Sequence, residues 1–442
     1  MTKSNRKLKV HFIGVGGAGM SVLARLLLSK NFTVSGSDAV KNSTVENLIS
    51  NGLIFYESQS ENNVLDKDVI VYSSAIPKSN LELIKAKELN KAVYGRAELL
   101  DIVLKSYKKS IGISGSHGKT TTSCMLANVL RYSGVNITAL LGGEDVNFGS
   151  FLYSNTNNVI VSEICEYDKN IKHLSPTLSV CLNVDNDHLD CYGNIENLKR
   201  EFFSYLTRAK VKVINKNDKY LCNFIGDNVI TYAVESSADY TAKNLTANNG
   251  KYAFDLYNND KFISKVFLSV YGKHNVSNAL AVISVCHNYF NLDFKVIIES
   301  ISKFKGVKRR FEELTTKTGK KIILDYAHHP SEIEKSLITA KETFNGDFIT
   351  VFQPHTYSRT KLLLSDFIKV LKDYAPIIFK EYPARESYDY KGSSKHLSKK
   401  IKNSVYISDF IKLLTYIDGL EYKNVLILGA GDLYDKIKNA DI

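Results

Sequence analysis

A short apolar run, Ser110-Ile111-Gly112-Ile113-Ser114, ends in Gly115-Ser116-His117-Gly118 and leaves through Lys119-Thr120-Thr121-Thr122 into SCMLANVLRYSG, a segment with helical spacing. A strand that turns through glycines into a helix gathers several backbone N–H groups around one point and adds the positive end of the helix to them. That geometry suits a phosphate chain. In this pattern Lys119 contacts the β- and γ-phosphates, and the Thr120 hydroxyl holds a magnesium ion. The full phosphate-loop spacing has a Gly at position 113, where this chain has Ile, so the signature is the shorter G-x-x-G-K-T. If a triphosphate sits here, the rest of the chain must explain its use.

At 442 residues the chain is too long for one ordinary core, and two or three domains are expected. A composition 44% hydrophobic and 24% charged is that of a globular protein. The net charge of +12 is carried by lysines spread along the whole length. No stripe and no aromatic-interleaved basic motif forms, so anionic small substrates are expected and nucleic acid is not. The opening MTKSNRKLKVHFIGVGG has its apolar run broken by glycines too early for a secretion signal. No stretch reaches the 18 or so apolar residues of a membrane helix, so no membrane insertion is expected. The six cysteines, at 124, 165, 181, 191, 222 and 286, lack C-x-x-C spacing and read as reduced thiols in a cytoplasm.

The first 105 residues read as a small parallel α/β unit. LKVHFI runs into Gly14-Val15-Gly16-Gly17-Ala18-Gly19, a helix follows from Met20, and a second strand, FTVSGSD, ends in Ser37 and Asp38. This is G-x-G-x-x-G in a strand-turn-helix context, where glycines let a pyrophosphate approach and an acidic residue takes a ribose hydroxyl. Taken alone it reads as NAD; the same geometry serves any nucleotide diphosphate. A strand over 69–72, a polar turn at Ser73-Ser74, a helix over 79–90 and a short strand ending at Arg96 follow.

Residues 106–308 surround the phosphate loop. NVIVSE places Glu163 at a strand end, and LSVCLNV delivers Asp185-Asn186-Asp187-His188 from another. In a parallel sheet both ends open on the edge that carries the phosphate loop, so Glu163 and His188 can complete a magnesium site with Thr120. Histidine is unusual for so hard a cation, and helix capping or a loop hydrogen bond is the alternative role for His188. From 200 to 270, short stretches (KVKVINKN, NVITYAV, YAFDLY, FISKVFLSV) predict an accessory antiparallel sheet. Asn275 and Asn278 then share one face of a helix start, where their amides can read adenine or ribose, or serve as caps.

Beyond a basic knot at Lys308-Arg309-Arg310, residues 309–442 alternate strand and helix as a third α/β domain with helices on both sheet faces. Its first long helix is expected to open at Pro330-Ser331 with Glu334 in capping-box position, and LLLSDFIKVLKDY is expected to form one helix. The loops carry Asp325-Tyr326-Ala327-His328-His329-Pro330, Pro354-His355-Thr356-Tyr357-Ser358-Arg359 and Gly429-Ala430-Gly431. Paired histidines invite zinc, but no third ligand stands at metalloprotease spacing.

With these pieces in order, the chain resembles the Mur ligase family over essentially its whole length. The resemblance rests on GVGGAGM at 14–20, SGSD at 35–38, SSAI at 73–76, RAE at 96–98, GSHGKTTT at 115–122, the Glu163 segment and NVDNDHLD at 183–190. HNVSNA at 274–279, RRFE at 309–312, DYAHHP at 325–330 and FQPHTYSRT at 352–360 complete it. It implies a Rossmann-like first domain, a central phosphate-loop ATPase-type α/β domain with accessory antiparallel strands, and a Rossmann-like third domain. The first domain is then expected to hold a UDP-sugar instead of NAD, through Gly14, Gly16, Gly17, Gly19, Met20, Asp38, Ser73, Ser74 and Arg96.

ATP is expected at Gly115, Ser116, His117, Gly118, Lys119, Thr120 and Thr121, with Asn275, Asn278, Arg310 and Asp325. The last two are expected to reach it only when domains close. Magnesium is assigned to Thr120, Glu163 and His188; catalysis to Lys119, Glu163, His188 and Arg310; the amino-acid pocket to Tyr326, His329, His355 and Arg359. Within the family the motifs look most like those of members that join L-alanine to the lactyl carboxylate of UDP-N-acetylmuramate, a cytoplasmic step of peptidoglycan synthesis carried out by a monomer or weak homodimer. A sister ligase recycling muramyl peptides, an NAD-dependent regulator and a nucleic-acid-binding scaffold are the alternatives. Three departures from the family pattern stand out: Leu324 where many members carry Asp, Thr356 where many carry Arg, and Ile164-Cys165-Glu166 after Glu163, which lets Glu166 share the metal work.

Overall fold

The computed structural model describes residues 7–185 and 189–440. It contains three β-sheets, and the chain divides into two compact units. The first unit comprises Met1–Thr241, Asn258–Lys261 and Asn278–Ser300, and the second Ala242–Tyr257, Phe262–Ser277 and Ile301–Ile442.

In the first unit, β1 (Lys9–Ile13), β2 (Thr33–Ser37), β3 (Ile54–Tyr56), β4 (Val69–Tyr72) and β5 (Ala92–Gly95) form a parallel sheet in the order β3-β2-β1-β4-β5. The order reverses between β1 and β4, so the loops that follow these two strands leave the same edge in opposite directions and open a crevice. Gly14 stands there with φ +81°, and a Cβ on it would lie 3.4 Å from the Ser73 Cβ.

A second sheet is built on β6 (Lys109–Ser114), β7 (Ile137–Asp145), β8 (Gly149–Leu152), β9 (Val159–Glu163), β10 (Leu178–Cys181), β11 (Val211–Asn215) and β12 (Val229–Val234), in the order β8-β7-β9-β6-β10-β11-β12. The phosphate-loop strand β6 lies between β9 and β10 and is parallel to both. The expected accessory sheet therefore begins later than the sequence pattern suggests. The stretches KVKVIN and VITYAV extend this parallel sheet as β11 and β12, since the helix Ile195–Arg208 provides the crossover a parallel neighbour requires.

The antiparallel part consists of β13 (Tyr240–Asn248), β14 (Lys251–Asn258) and β15 (Lys261–Tyr271). Two-residue turns join them, Asn249-Gly250 (φ 48° and 75°) and Asn259-Asp260 (φ 47° and 60°), the left-handed pairs of tight hairpins. The polar Lys243, Asn244, Thr246 and Asn248 hid β13 from a hydrophobic reading.

The third sheet, in the second unit, has β16 (Glu312–Thr315), β17 (Lys321–Asp325), β18 (Ile349–Phe352), β19 (Ile377–Phe379), β20 (Val405–Ile407) and β21 (Asn424–Leu428) in the order β16-β17-β21-β18-β19-β20. Only the edge strand β16 is antiparallel to its neighbour. Both faces are buried: Ile323, Phe352, Leu426 and Leu428 enter one apolar cluster, and Ile322, Leu324, Val351, Val425 and Ile427 enter another.

Two local expectations are corrected here. The helix Pro330–Phe344 is capped by His329 with Glu332, not by Ser331 with Glu334, because Pro330 takes the first helical position and moves the cap two residues back. The segment LLLSDFIKVLKDY is helical over Leu364–Leu371 and closes in a separate 3-10 turn, Lys372–Tyr374, instead of running as one helix.

Gly112 in β6 permits one close packing of the central sheet. Its carbonyl accepts the hydroxyl of the fully buried Tyr205 at 3.1 Å, and a Cβ at Gly112 would overlap that hydroxyl and lie 2.9 Å from Ile164. Gly112→Ala is expected to lower unfolding free energy by about 1–3 kcal/mol through overpacking. Adding Tyr205→Phe, which removes the overlapping atom, should recover much of the loss in urea titrations. Additive losses would contradict this packing.

Candidate active site

The phosphate loop is shaped by side chains beneath it. Asn183, just past β10, accepts the His117 N–H at 2.8 Å and donates its amide to the His117 carbonyl at 3.0 Å. Ser116 donates its N–H to the Asn183 carbonyl (3.1 Å), and its hydroxyl accepts the Asp185 N–H (2.9 Å). The His117 ring meets Asp185 at 3.1 Å. Gly115 (φ +132°) has no room for a Cβ, which would fall 3.1 Å from the Asn183 nitrogen. Gly118 (φ +85°) caps the helix Lys119–Tyr132, and a Cβ there would lie 2.8 Å from the Asn278 amide oxygen.

Lys119 curls back into this loop. Its ammonium donates to the Gly115 carbonyl (2.6 Å), the Ser116 carbonyl (3.2 Å) and the buried Glu166 carboxylate (3.0 Å). Burial alone would depress its pKa, but the carboxylates of Glu166 and Glu163 outweigh that and hold it above the ordinary lysine value. It is therefore cationic at any working pH.

Alongside, the Thr120 hydroxyl donates to Glu163 at 2.8 Å, and Gly142 of β7 leaves the space that the Glu163 carboxylate fills. Two hard oxygens at that separation match neighbouring ligands of an octahedral magnesium, which are about 2.9 Å apart. Thr120 and Glu163 thus fit the expected ion, while Glu166 accepts from Lys119 at 3.0 Å. His188 lies outside the described residues.

At the first sheet, the Asp38 carboxylate accepts the Gly16 N–H at 2.8 Å and the Val40 N–H at 3.3 Å. Arg96 begins the helix Arg96–Lys105, whose preceding Gly95 N–H is held by Glu98 at 2.7 Å. The Arg96 guanidinium lies 3.0 Å from where a Gly19 Cβ would stand, so a cation covers the start of the helix Ala18–Ser29. Met20 is buried.

At the third sheet, Asp325 ends β17, and both its oxygens are engaged. They accept the N–H groups of Phe311 (2.8 Å) and Ala327 (2.9 Å) and the Ser336 hydroxyl (2.9 Å). Burial raises its carboxyl pKa against the pull of Arg310. Arg310 lies over the Tyr326 ring at 4.8 Å and 3.9 Å from Glu332. The ring of His328 packs edge-on against Tyr326 and His355, His355 stacks on Tyr382, and Arg359 meets the His355 ring at 3.4 Å.

Three family models match in chain order: Mur ligase family, catalytic domain over 9–108, Mur ligase middle domain over 113–286, and Mur ligase, glutamate ligase domain over 309–431. A UDP-N-acetylmuramate–L-alanine ligase of Caldanaerobacter subterraneus subsp. tengcongensis is 37% identical, covering 97% of this chain and 96% of that one. The chain belongs to the Mur ligase family. A Clostridium kluyveri relative of the same name is 38% identical over 96% of each chain. The crystal structure of the UDP-N-acetylmuramate–alanine ligase of Thermotoga maritima superposes with a TM-score of 0.82 at 27% identity, covering 98% of this chain and 97% of that chain. A murein peptide ligase of Psychrobacter arcticus shares the fold (TM-score 0.71, 21% identity, 97% of each chain).

In this Mur ligase, the structure brings Lys119, Thr120 and Glu163 together at the phosphate loop, and Asn278 beside Gly118. Asn275 donates to the Tyr271 carbonyl at 2.6 Å. His329 turns its ring to Ser331 as a helix cap, while its neighbour His328 joins Tyr326 and His355. Thr356, between His355 and Tyr357, holds φ +66° and ψ 144°, a conformation that strains a β-branched residue. Sequence reasoning passed over Asn183, Gly142 and Tyr382. The available signal for Asn183 was a polar residue closing an apolar strand next to the loop.

Asn183→Ala removes two hydrogen bonds from the loop, each of about 1 kcal/mol. Affinity for a non-hydrolysable ATP analogue should fall by about 10-fold or more by titration calorimetry; unchanged affinity would show that the loop holds its own shape. A second expectation concerns pH. Burial, with Arg359 nearby, lowers the His328 and His355 pKa values from 6.5 to about 4. Unfolded histidines therefore take protons that the folded ones refuse, and this stability is lost as pH falls from 6.5 through 4. Replacing both by Gln should flatten the decline in the urea midpoint over that window, by up to about 1.4 kcal/mol per pH unit per histidine. An unaltered slope would place both rings in water.

Proposed function

We propose that this chain is an ATP-dependent ligase that joins L-alanine to the lactyl carboxylate of UDP-N-acetylmuramate. The supporting observation is that relatives 35–38% identical over nearly their whole length carry that name. A carboxylate oxygen attacks the γ-phosphorus of ATP and ADP departs, leaving an acyl phosphate. The alanine amine adds to its carbonyl carbon, and inorganic phosphate leaves with the C–O electron pair as the amide forms. Both reactants of the first step are anions, so fixed cations must neutralise the charge developing on the γ-phosphoryl oxygens.

We assign that work to Lys119, which the loop already holds at its centre, and to Arg310. Magnesium would be held by Thr120 and Glu163, with His188 as a further ligand, and when bound supplies Lewis-acid stabilisation of the phosphate charge. Asn275 and Asn278 are assigned to the nucleoside. The UDP diphosphate is assigned to the crevice of the first sheet, with Gly14, Gly16, Gly17, Gly19, Ser73, Ser74 and Arg96. Tyr326, His328, His355 and Arg359 are assigned to alanine, with Arg359 pairing its carboxylate. The first domain is taken as 1–105, the central one as 106–308 and the last as 309–442.

Phosphate release is measured with ATP, magnesium and UDP-N-acetylmuramate against a panel of amino acids and a muramyl tripeptide. The expected outcome is release that requires the UDP-sugar and is fastest with L-alanine. Release independent of the UDP-sugar rules out the ligase reading, and preference for the tripeptide assigns the chain to peptide recycling. Lys119→Ala should abolish turnover while leaving UDP-sugar affinity nearly intact.

A further inference from the structure

Beneath the glycine loop of the first sheet lies a buried polar cluster that none of these roles uses. Glu82, on the helix Leu81–Glu88, and His11, in the middle of β1, have no solvent exposure. A carboxylate can be buried only if its oxygens are satisfied, and those of Glu82 are. Oε1 accepts the Asn63 amide at 2.7 Å and meets His11 Nε2 at 3.2 Å; Oε2 accepts the Ser37 hydroxyl at 2.6 Å. His11 Nδ1 in turn meets the Ser35 hydroxyl, its register partner in β2, at 2.9 Å. Stability does not explain the cluster, because well-packed aliphatic side chains in place of a buried polar network usually serve folding as well or better.

Its connections lead to the loop. The Ser37 carbonyl accepts the N–H groups of Gly14 (2.8 Å) and Val15 (3.1 Å), and the next residue, Asp38, accepts that of Gly16 (2.8 Å). Three successive N–H groups of the glycine loop therefore hang from Ser37-Asp38, and the Ser37 side chain is pinned by Glu82.

We infer that Glu82, oriented by His11, is a positioning residue for UDP-sugar binding: through Ser37 and Asp38 it fixes the curvature of the glycine loop that receives the diphosphate. The inference rests on the assignment of the UDP-sugar to the first sheet. A carboxylate suits this role because it accepts from three donors on three different elements, and its glutamine isostere must present an N–H to one of them.

The test compares Glu82→Gln and Ser37→Ala with wild type in the coupled ligase assay, varying each substrate in turn. Both variants are expected to raise KM for UDP-N-acetylmuramate about 10-fold, with kcat and the KM values for ATP and L-alanine within about 2-fold. A purely structural role would instead lower active enzyme and kcat without that selectivity. If Glu82→Gln does not fold, as judged by circular dichroism, Ser37→Ala, which removes one hydroxyl, decides alone. Unchanged UDP-sugar KM in Ser37→Ala, or a loss confined to kcat, overturns the proposal. Arg96→Ala is measured in parallel. If it raises the UDP-sugar KM and the other two do not, only the positioning role fails; if it does not, the first-sheet assignment fails and the proposal falls with it.

Discussion

A loop open to a ligand cannot fix its own shape by bonds within itself and must be held by its neighbours. That constraint governs the phosphate loop, where Asn183 and Asp185 supply from outside the hydrogen bonds that fix Ser116 and His117. The same strands that deliver these supports deliver the chemistry. Because β9 and β10 flank β6 in parallel register, Glu163 arrives opposite Ile113 and the Asn183 segment opposite the loop itself. Sheet topology, more than any single residue, brings a threonine and a glutamate to within one metal-ligand separation.

Charge at this site is arranged in compensating pairs. Lys119 rests on Glu166 and two loop carbonyls, which keeps a buried ammonium protonated and aimed inward. A phosphate oxygen entering the loop takes over part of that neutralising work. The first sheet repeats the device with opposite sign, since there a buried carboxylate, Glu82, holds donors that in turn hold a glycine loop. In both places a polar group below the surface keeps the backbone of a glycine loop in shape.

Much of this was legible in the sequence, because glycine spacing and apolar runs report directly on strand-loop-helix units. The phosphate loop, the first glycine loop, the ends of β9 and β10 and the alternation of the third sheet all follow from such local patterns. The misreadings share a cause too: strand direction and side-chain direction depend on distant neighbours. KVKVIN reads the same whether it pairs parallel or antiparallel, and the crossover helix before it decides. Nor does the sequence say how two adjacent histidines divide: His329 bonds Ser331 at the helix start, and His328 faces Tyr326 and His355. Glu82 and His11 gave no signal, since a buried pair of polar side chains looks like two surface residues until the sheet closes over it.

The central claim is that a triphosphate held over β6 activates a carboxylate by phosphorylating it, and isotope transfer tests it most directly. With UDP-N-acetylmuramate carrying oxygen-18 in its lactyl carboxylate, turnover with ATP and L-alanine should release inorganic phosphate bearing one labelled oxygen, read by mass spectrometry. Unlabelled phosphate, with both heavy atoms retained in the product and solvent, would mean that the carboxylate never attacks the γ-phosphorus, and the account would be wrong at its core.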